Sequence, residues 1–254
     1  MSFNIEVESG SSVRLPTKGK YCDRDIVITA TGGTEDLNDV LTEQETLIAN
    51  LQEILRSKSV SGGSGDNTFN AFIEGTLEEV DCDALTTVRA YFFYSNAGLK
   101  RVTLKNATEF EGNNFRYCDA LEYLDLPSAI KAGTYFCANS NALVSAVFPK
   151  LTTVDNYAFQ SAGGVKKLDF HALTATGSNA FRYCSALETL ILRKSDGITT
   201  CSNSAVLAGS AIASGKGYIY VPSALIDEYK SASNWSKYAE QFRAIEDYPE
   251  ICGG

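Results

Sequence analysis

The sequence predicts a mainly β protein built as a solenoid of 22-residue coils, and four repeating columns of residues carry that prediction. The first column ends each L-x-x-L-x-L run and consists of Cys82, Leu104, Leu126, Phe148, Phe170 and Leu192. Three others repeat in phase: Phe93, Phe115, Cys137, Phe159 and Phe181; Leu99, Leu121, Leu143, Val165 and Leu187; Val88, Phe110, Ala132, Val154, Thr176 and Ile198. Mostly apolar columns at a fixed period are typical of stacked units that each add one layer to a continuous core.

The L-x-x-L-x-L runs alternate inward and outward residues, which predicts short strands stacked in a parallel ladder. The phenylalanine half of each coil is then the return limb. We assign the solenoid to residues 69–222. Its last coil is degenerate, because the strand from Tyr218 to Val221 arrives about seven residues late, after the Ala, Ser and Gly residues of 202–216.

Residues 1–33 predict a small β unit of hairpins that serves for docking. Apolar alternation occurs at Ile5 and Val7, at Val13 and Leu15, and at Ile26 and Ile28. Glycine, serine and proline residues separate these three short runs, as expected of turns.

Residues 34–58 predict a helix with a heptad seam formed by Leu37, Leu41, Gln44, Ile48, Leu51 and Leu55. A second apolar row of Val40, Leu47 and Ile54 widens the stripe. A helix this short is marginal alone, so it must pack on sister chains or within its own domain. We favour a parallel trimer, with another homo-oligomer or intramolecular packing as alternatives. Residues 59–68 are rich in Gly and Ser and predict a flexible linker.

Residues 223–254 predict a helical cap and tail. Ser223 is placed to be the N-cap of a helix that ends near Ser231. Trp235, Tyr238, Phe242 and Ile245 have helical spacing and predict a second helix that closes the open end of the core.

Composition excludes several functions. A formal charge of −9 and a pI near 4.8 argue against nucleic acid or an anionic membrane as a partner. The N-terminus has no basic start followed by an apolar region, and no apolar run approaches the roughly 20 residues that cross a bilayer. We therefore predict no membrane insertion. A virion is the favoured location, and the bacterial cytoplasm or cell surface is the alternative.

The sequence predicts no enzyme, no metal and no cofactor. Among seven cysteines there is no C-x-x-C pair, and His171 is the one histidine, so a zinc site or a catalytic triad has too few residues. Neither glycine-rich stretch has the lysine and helix of a phosphate loop. Cys118 and Cys184 share a column with Asn96, Ser140 and Ala162, which predicts reduced, structural cysteines. Cys22, Cys201 and Cys252 lie outside the regular columns and are candidates for exposure.

The coils closely resemble the BspA-like (Treponema pallidum type) leucine-rich repeat over about residues 67–222. The resemblance rests on Leu151-Thr-Thr-Val154 followed by Ala158-Phe159, and on the segment F-R-Y-C at Phe115–Cys118 and again at Phe181–Cys184. It implies a binding or surface module without catalytic machinery, found in bacteria, some protists and their phages. The segment from Val13 to Ile28 is similar to an N-terminal element of virion proteins of phages from gut Firmicutes, which implies a phage or prophage source.

Two surfaces are candidate binding sites. The outward strand residues form a mixed-charge face suited to a protein or glycan ligand, although an ordinary solvated face would look similar. We assign ligand contacts there to Arg101, Thr103, Lys105, Tyr123, Asp125, Lys167, Asp169, His171 and Arg193. The second candidate is the bend column of Tyr91, Asn113, Tyr135, Tyr157 and Asn179, for which packing within the bend is the simpler interpretation.

Two functional classes fit these observations. The first is a virion component of the tail or fibre, whose N-terminal unit docks to other virion proteins and whose solenoids recognise a host surface protein or glycan. The second is a bacterial adhesin or an intracellular interaction scaffold.

The heptad seam generates a testable prediction. Ile48→Asp should convert the protein to a monomer while the solenoid stays folded, because a carboxylate at each seam position of an oligomer is too costly to bury. Light scattering measures the mass. A monomer mass for the unmutated chain at micromolar concentration would contradict the coiled-coil prediction.

Overall fold

A computed structural model of the protein describes residues 5–7, 12–15, 26–30, 78–81 and 86–253. The chain divides into two compact units, Met1–Thr76 and Leu77–Gly254. The predicted heptad helix of 34–58 and the linker of 59–68 lie outside the described residues, as does Cys22.

The first unit contains a three-stranded sheet made of β1 (Ile5–Val7), β2 (Ser12–Leu15) and β3 (Ile26–Ala30). Strand β3 is central, and it pairs with β2 in antiparallel and with β1 in parallel orientation. The pairing of β1 therefore differs from the predicted hairpins, because a parallel neighbour must be reached by a crossover rather than a tight turn.

The second unit is a repeat structure with two parallel strand ladders. The first ladder, the strand face, consists of β4 (Glu79–Asp81), β6 (Arg101–Thr103), β8 (Tyr123–Asp125), β10 (Ser145–Phe148), β12 (Lys167–Phe170), β14 (Thr189–Leu192), β16 (Tyr218–Val221) and β17 (Phe242–Ala244). The second ladder consists of β5 (Thr87–Val88), β7 (Glu109–Phe110), β9 (Lys131–Ala132), β11 (Thr153–Val154), β13 (Ala175–Thr176) and β15 (Thr200–Cys201). Pairing on the strand face is interrupted between β8 and β10, which separates a three-stranded from a five-stranded sheet.

The register confirms the 22-residue coil. Arg101 pairs with Tyr123, Phe148 with Phe170, and Phe170 with Leu192, so each strand lies beside its equivalent one repeat later. Inside each coil the predicted columns are buried from Val88 to Leu192. Thr176, which is polar, is buried like the apolar members of its column. The rings of Phe93 and Phe115 stack at 5.1 Å. The core is thus a continuous row of layers, as the periodicity predicts.

Backbone hydrogen bonds in the bend form a third connection between coils, which the sequence analysis did not predict. Amide groups of Tyr91, Phe93 and Ser95 donate to carbonyl oxygens in the next coil at 2.9 to 3.1 Å. The same three bonds start from Asn113, Phe115 and Tyr117, from Tyr135, Cys137 and Asn139, and from Tyr157, Phe159 and Ser161. The first and third residue of each set have positive φ angles between 57° and 64°. This left-handed conformation turns their N–H groups toward the neighbouring coil.

The column of small polar residues links coils through side chains. The thiols of Cys118 and Cys184 donate to the carbonyl oxygens of Phe93 and Phe159, each at 2.9 Å, and the Ser140 hydroxyl donates to Phe115. Both thiols are free and buried. Burial raises the pKa of Cys118 and of Cys184 to about 12, which keeps both protonated at neutral pH. The prediction that this column holds structural cysteines in a tight layer is confirmed by their burial.

The last coil departs from the predicted columns in two steps. Thr176 pairs with Cys201, so the prediction that Ile198 continues this column is wrong by three positions. Thr189 then pairs with Tyr218, which gives a spacing of 29 residues and confirms the seven-residue delay. The bend bonds from Phe181 to Val206 and from Tyr183 to Ala208 span 25 residues instead of 21, so four of the extra residues precede this bend and three follow it.

The last coil and the chain after it contain short helices, and one further strand follows the solenoid. These are 3-10 helices at Ile212–Ser214, Ser223–Leu225, Ser236–Gln241 and Ile245–Asp247, and α-helices at Ile226–Ser231 and Pro249–Cys252. Ser223 makes no side-chain cap, because it lies inside a 3-10 helix that begins after Pro222. The predicted second helix is also wrong: Phe242–Ala244 is strand β17, which pairs in parallel with β16. Phe242 is therefore buried by sheet pairing, not by a helical stripe.

Three aromatic residues attach this C-terminal segment to the last coil. Trp235 is fully buried and its Nε1 donates to the Thr199 carbonyl oxygen at 2.6 Å. The Tyr229 hydroxyl accepts from the Thr199 amide at 2.8 Å, and the Tyr238 hydroxyl donates to the Ser204 carbonyl oxygen at 2.8 Å. These bonds satisfy backbone groups that have no further coil to pair with. No helix among the described residues is long and apolar enough to span a membrane.

Phe159→Ala should lower the free energy of unfolding by about 3 to 5 kcal/mol, because it leaves a cavity in a fully buried layer. Phe115→Ala should do the same. Gln160→Ala, at the adjacent and partly exposed position, is the matched control and should change stability by no more than about 0.5 kcal/mol. Chemical denaturation measures all three. Losses below about 1 kcal/mol at both phenylalanines would contradict the assignment of the layers.

Candidate functional site

The strand face is open along its first coils. Arg101 and Tyr123 lie on adjacent rungs, both exposed, with the guanidinium carbon 4.3 Å from the ring centroid. Thr103 and Asp125 form the next pair along the same strands and are partly exposed, and Lys105 beyond them is exposed. Four residues that the sequence analysis selected are therefore brought together here as two neighbouring pairs.

Exposed aliphatic residues continue the open part beyond Tyr123. Val144 and Val147, in the coil that contributes β10, each keep 50% of their surface accessible to solvent. Neither valine was among the residues that the sequence analysis selected as ligand contacts. We call Arg101, Thr103, Tyr123, Asp125, Val144 and Val147 the open face.

The remaining part of the strand face is covered by the C-terminal segment of the same chain. Ile191, Tyr220 and Cys252 form a buried apolar cluster against which Ile245, Tyr248 and Ile251 pack. Cys252 is therefore buried rather than exposed. Ile191, which the alternation places outward, is fully buried for the same reason.

Charged residues under this segment hold it in place. The Lys167 ammonium donates to the Ile251 carbonyl oxygen at 2.7 Å. The Arg193 guanidinium makes two 2.7 Å bonds to the Asp169 carboxylate and also donates to the Cys252 carbonyl oxygen. Its hydrogen bond with Asp169 raises the pKa of Arg193, so the guanidinium stays charged. Arg193 and Asp169 together hold the C-terminal segment in place.

The prediction that Lys167, Asp169 and Arg193 are ligand contacts on an exposed face is therefore wrong. Asp169 retains only 3% of its surface, and its carboxylate is used by Arg193. Lys167 and Arg193 bond the chain's own C-terminal carbonyl groups. The physical reason is a contact between positions about 60 to 80 residues apart, which no local pattern encodes. His171 remains exposed, with Nε2 3.6 Å from the Asp169 carboxylate, at the border of the covered part.

The bend column lies on a separate surface. Tyr91, Asn113, Tyr135, Tyr157 and Asn179 all have left-handed backbone conformations, with φ between 57° and 64°. The rings of Tyr135 and Tyr157 stack at 4.9 Å, and the Arg116 guanidinium lies 4.3 Å from the Tyr135 ring centroid. Arg116 belongs to the F-R-Y-C segment, so that recurring motif was a signal for this surface which the sequence analysis used only for the repeat.

The three buried thiols inside the coils are poor nucleophiles. Burial raises the pKa of Cys137 well above its usual value, as it does for Cys118 and Cys184, so none of the three supplies a thiolate at neutral pH. Within the described residues no group of three or more His, Cys, Asp or Glu side chains is placed to hold a metal ion.

A family model agrees with the repeat architecture. The family model described as the BspA type leucine rich repeat region (6 copies) matches residues 65–166 and 133–214, which together exceed half of the chain. No protein of curated function matches. A leucine-rich repeat protein from Bacteroides ovatus ATCC 8483 is a similar solved structure, with 14% identity and a TM-score of 0.35. The match covers 60% of this chain and 57% of the Bacteroides protein. The matched part is therefore less than two thirds of the length of that protein.

Removing the clamp should destabilise the protein. Arg193→Met leaves the buried Asp169 carboxylate without its partner and should lower the free energy of unfolding by about 3 to 5 kcal/mol. The double variant Arg193→Met/Asp169→Leu removes both charges and should recover most of that loss. Urea denaturation compares the two. A double variant no more stable than the single one would show that the Asp169 charge is not what makes Arg193 necessary.

Proposed function

Because the chain belongs to the BspA-type leucine-rich repeat family, we propose that its solenoid is a non-enzymatic binding module whose open face takes a partner at a host surface. The single observation that carries this is the Arg101–Tyr123 pair beside exposed valines. Arginine and aromatic side chains are the types enriched where binding energy concentrates. A protein partner fits the open face better than a glycan, because Val144 and Val147 offer apolar area that a polar sugar would not use.

The C-terminal segment limits this site and completes the core. We propose that it acts as a cap, since Trp235, Tyr229 and Tyr238 occupy backbone groups of the last coil. It also removes the apolar residues of β14 and β16 from solvent. A terminal unit with a polar outer face is what a stack of repeats needs for solubility. Binding is thereby confined to the coils before β12.

We propose that the module belongs to a virion, at the tail or fibre, and that it is displayed as a trimer. The support is the N-terminal segment that resembles phage virion elements and the heptad pattern of 34–58. Linking three weak sites would raise avidity by about 10² to 10⁴ without any new contact. Docking to other virion proteins falls to the N-terminal sheet.

A bacterial adhesin or an intracellular scaffold is the alternative, supported by the same open face, since neither role changes the binding chemistry. The genes adjacent to the coding sequence separate these proposals. Tail genes would support the virion, and an operon of cytosolic proteins would contradict it.

The double variant Arg101→Ala/Tyr123→Ala should reduce binding to susceptible cells at least tenfold with little change in melting temperature, because both side chains are exposed. Tyr218→Ala/Arg243→Ala is the matched control: the Arg243 guanidinium lies 4.2 Å from the exposed Tyr218 ring, in the same kind of pair outside the open face. That control should bind like the parent. Equal loss in both variants, or no loss in either, would move the site away from the open face.

A further inference from the structure

The bend side of the solenoid carries a strip rich in exposed and half-exposed tyrosine and arginine residues, among which Asn113, Ala138 and Asn179 are buried. We define the turn strip as three columns, five residues each: Tyr91, Asn113, Tyr135, Tyr157 and Asn179; Tyr94, Arg116, Ala138, Gln160 and Arg182; Ser95, Tyr117, Asn139, Ser161 and Tyr183. The first and third columns are the left-handed positions of the bend, and the second lies between them. Successive members of a column sit in successive coils, because the bend amides bond coil to coil.

The composition of the turn strip is unlike that of the chain. It contains six tyrosines, three asparagines and two arginines, and it lacks carboxylates, lysines and large aliphatic residues. The chain as a whole has a net charge of −9. Tyrosine with asparagine and serine is the combination that binding surfaces use to gain rigid contact area and adaptable hydrogen bonds. The strip therefore has the make-up of a recognition surface, with a local charge opposite to that of the protein.

The backbone gives an independent reason to ask why the tyrosines are there. Tyr91, Tyr117, Tyr135, Tyr157 and Tyr183 have φ between 57° and 64°, a region that disfavours bulky residues and suits asparagine. Asparagine occupies the equivalent positions at 113, 139 and 179. The fold therefore does not require tyrosine at these sites. Strained residues kept in place of an easier alternative point to function rather than to folding.

The side chains are pre-arranged in this surface. The Arg116 guanidinium lies 4.9 Å from the Tyr117 centroid and 4.3 Å from that of Tyr135, and it donates to the Asn113 side chain at 3.1 Å. Arg182 repeats the arrangement, 4.5 Å from the Tyr183 centroid. Exposure of 42%, 37% and 48% at Tyr91, Tyr117 and Tyr183 leaves ring surface free for a ligand.

Nearby carboxylates do not cancel the positive charge of the strip. Glu111 is paired with Arg89 at 3.1 Å, and Asp155 with Lys131 at 3.3 Å. Asp119 accepts a hydrogen bond from Asn141 at 3.0 Å. Acidic groups therefore border the strip, but two of the three already have cationic partners.

We propose that the turn strip binds an acidic polysaccharide. Tyrosine rings offer flat apolar faces to the C–H faces of sugar rings, asparagine and glutamine amides bond hydroxyl groups, and arginine matches a carboxylate geometrically. A peptide is a poorer ligand here, because the bend amides are already used between coils and no aliphatic pocket is present in the strip. This site is separate from the open face, so either can fail alone.

The test is calorimetric titration of the full chain with polygalacturonate and, in parallel, with neutral dextran. We expect binding to polygalacturonate that weakens as salt is raised, and at least tenfold weaker binding to dextran. Equal affinity for both polymers, or no binding to polygalacturonate at millimolar sugar concentration, would overturn the proposal.

Variants locate the site and separate it from a structural role. Tyr135→Asn/Tyr157→Asn installs the residue that neighbouring coils use, and it should weaken polygalacturonate binding at least tenfold without lowering the melting temperature. Arg116→Gln/Arg182→Gln should remove most of the salt dependence. The open-face variant Arg101→Ala/Tyr123→Ala should bind the polysaccharide like the parent. A lower melting temperature in the asparagine variant, with polysaccharide binding unchanged, would assign the tyrosines to packing and contradict the proposal.

Discussion

Coil-to-coil hydrogen bonding of the backbone is the constraint on which the rest of the structure depends. In the regular coils, three sets of N–H groups donate to the following or preceding coil: those of the strand face, the second ladder and the bend. All three sets stay in phase only if the coils have equal length, which is why the 22-residue spacing is kept from β4 to β14. The aromatic rings of each layer pack against rings of the adjacent coils, as Phe115 packs against Phe93 and Phe136. Burial of the core therefore follows from this register.

The constraint also explains where irregularity is tolerated. The seven extra residues of the last coil are divided so that the bend bonds from Phe181 and Tyr183 persist between them. Three enter before Cys201, one enters between Cys201 and the bend, and three follow the bend before β16. An insertion placed inside a ladder would break pairs on both sides, whereas an insertion between ladders lengthens only a loop.

The repeat is predictable from the sequence because the same local pattern of apolar residues recurs in every coil. Phe93, Phe115, Phe159 and Phe181 each report the same position, so a single exception such as Cys137 does not obscure the column. The C-terminal segment has no second copy. Trp235, Tyr238 and Phe242 suit a helical stripe as well as they suit a 3-10 turn followed by a strand, and only pairing with Tyr218–Val221 decides between them. The same is true of the candidate site: alternation puts Arg101 and Tyr123 on the face correctly, but the burial of Asp169 depends on Ile251 and Cys252, far away in the chain.

Strand β17 has a consequence for how copies of this protein behave when crowded. It is the outermost strand of the five-stranded sheet, and such a strand carries peptide groups that can recruit another chain by edge-to-edge pairing. Here the strand is three residues long and passes directly into the 3-10 helix Ile245–Asp247. A template so short offers few hydrogen bonds to an incoming chain. At this end of the ladder, neighbouring copies can therefore stand side by side without fusing into one continuous ladder.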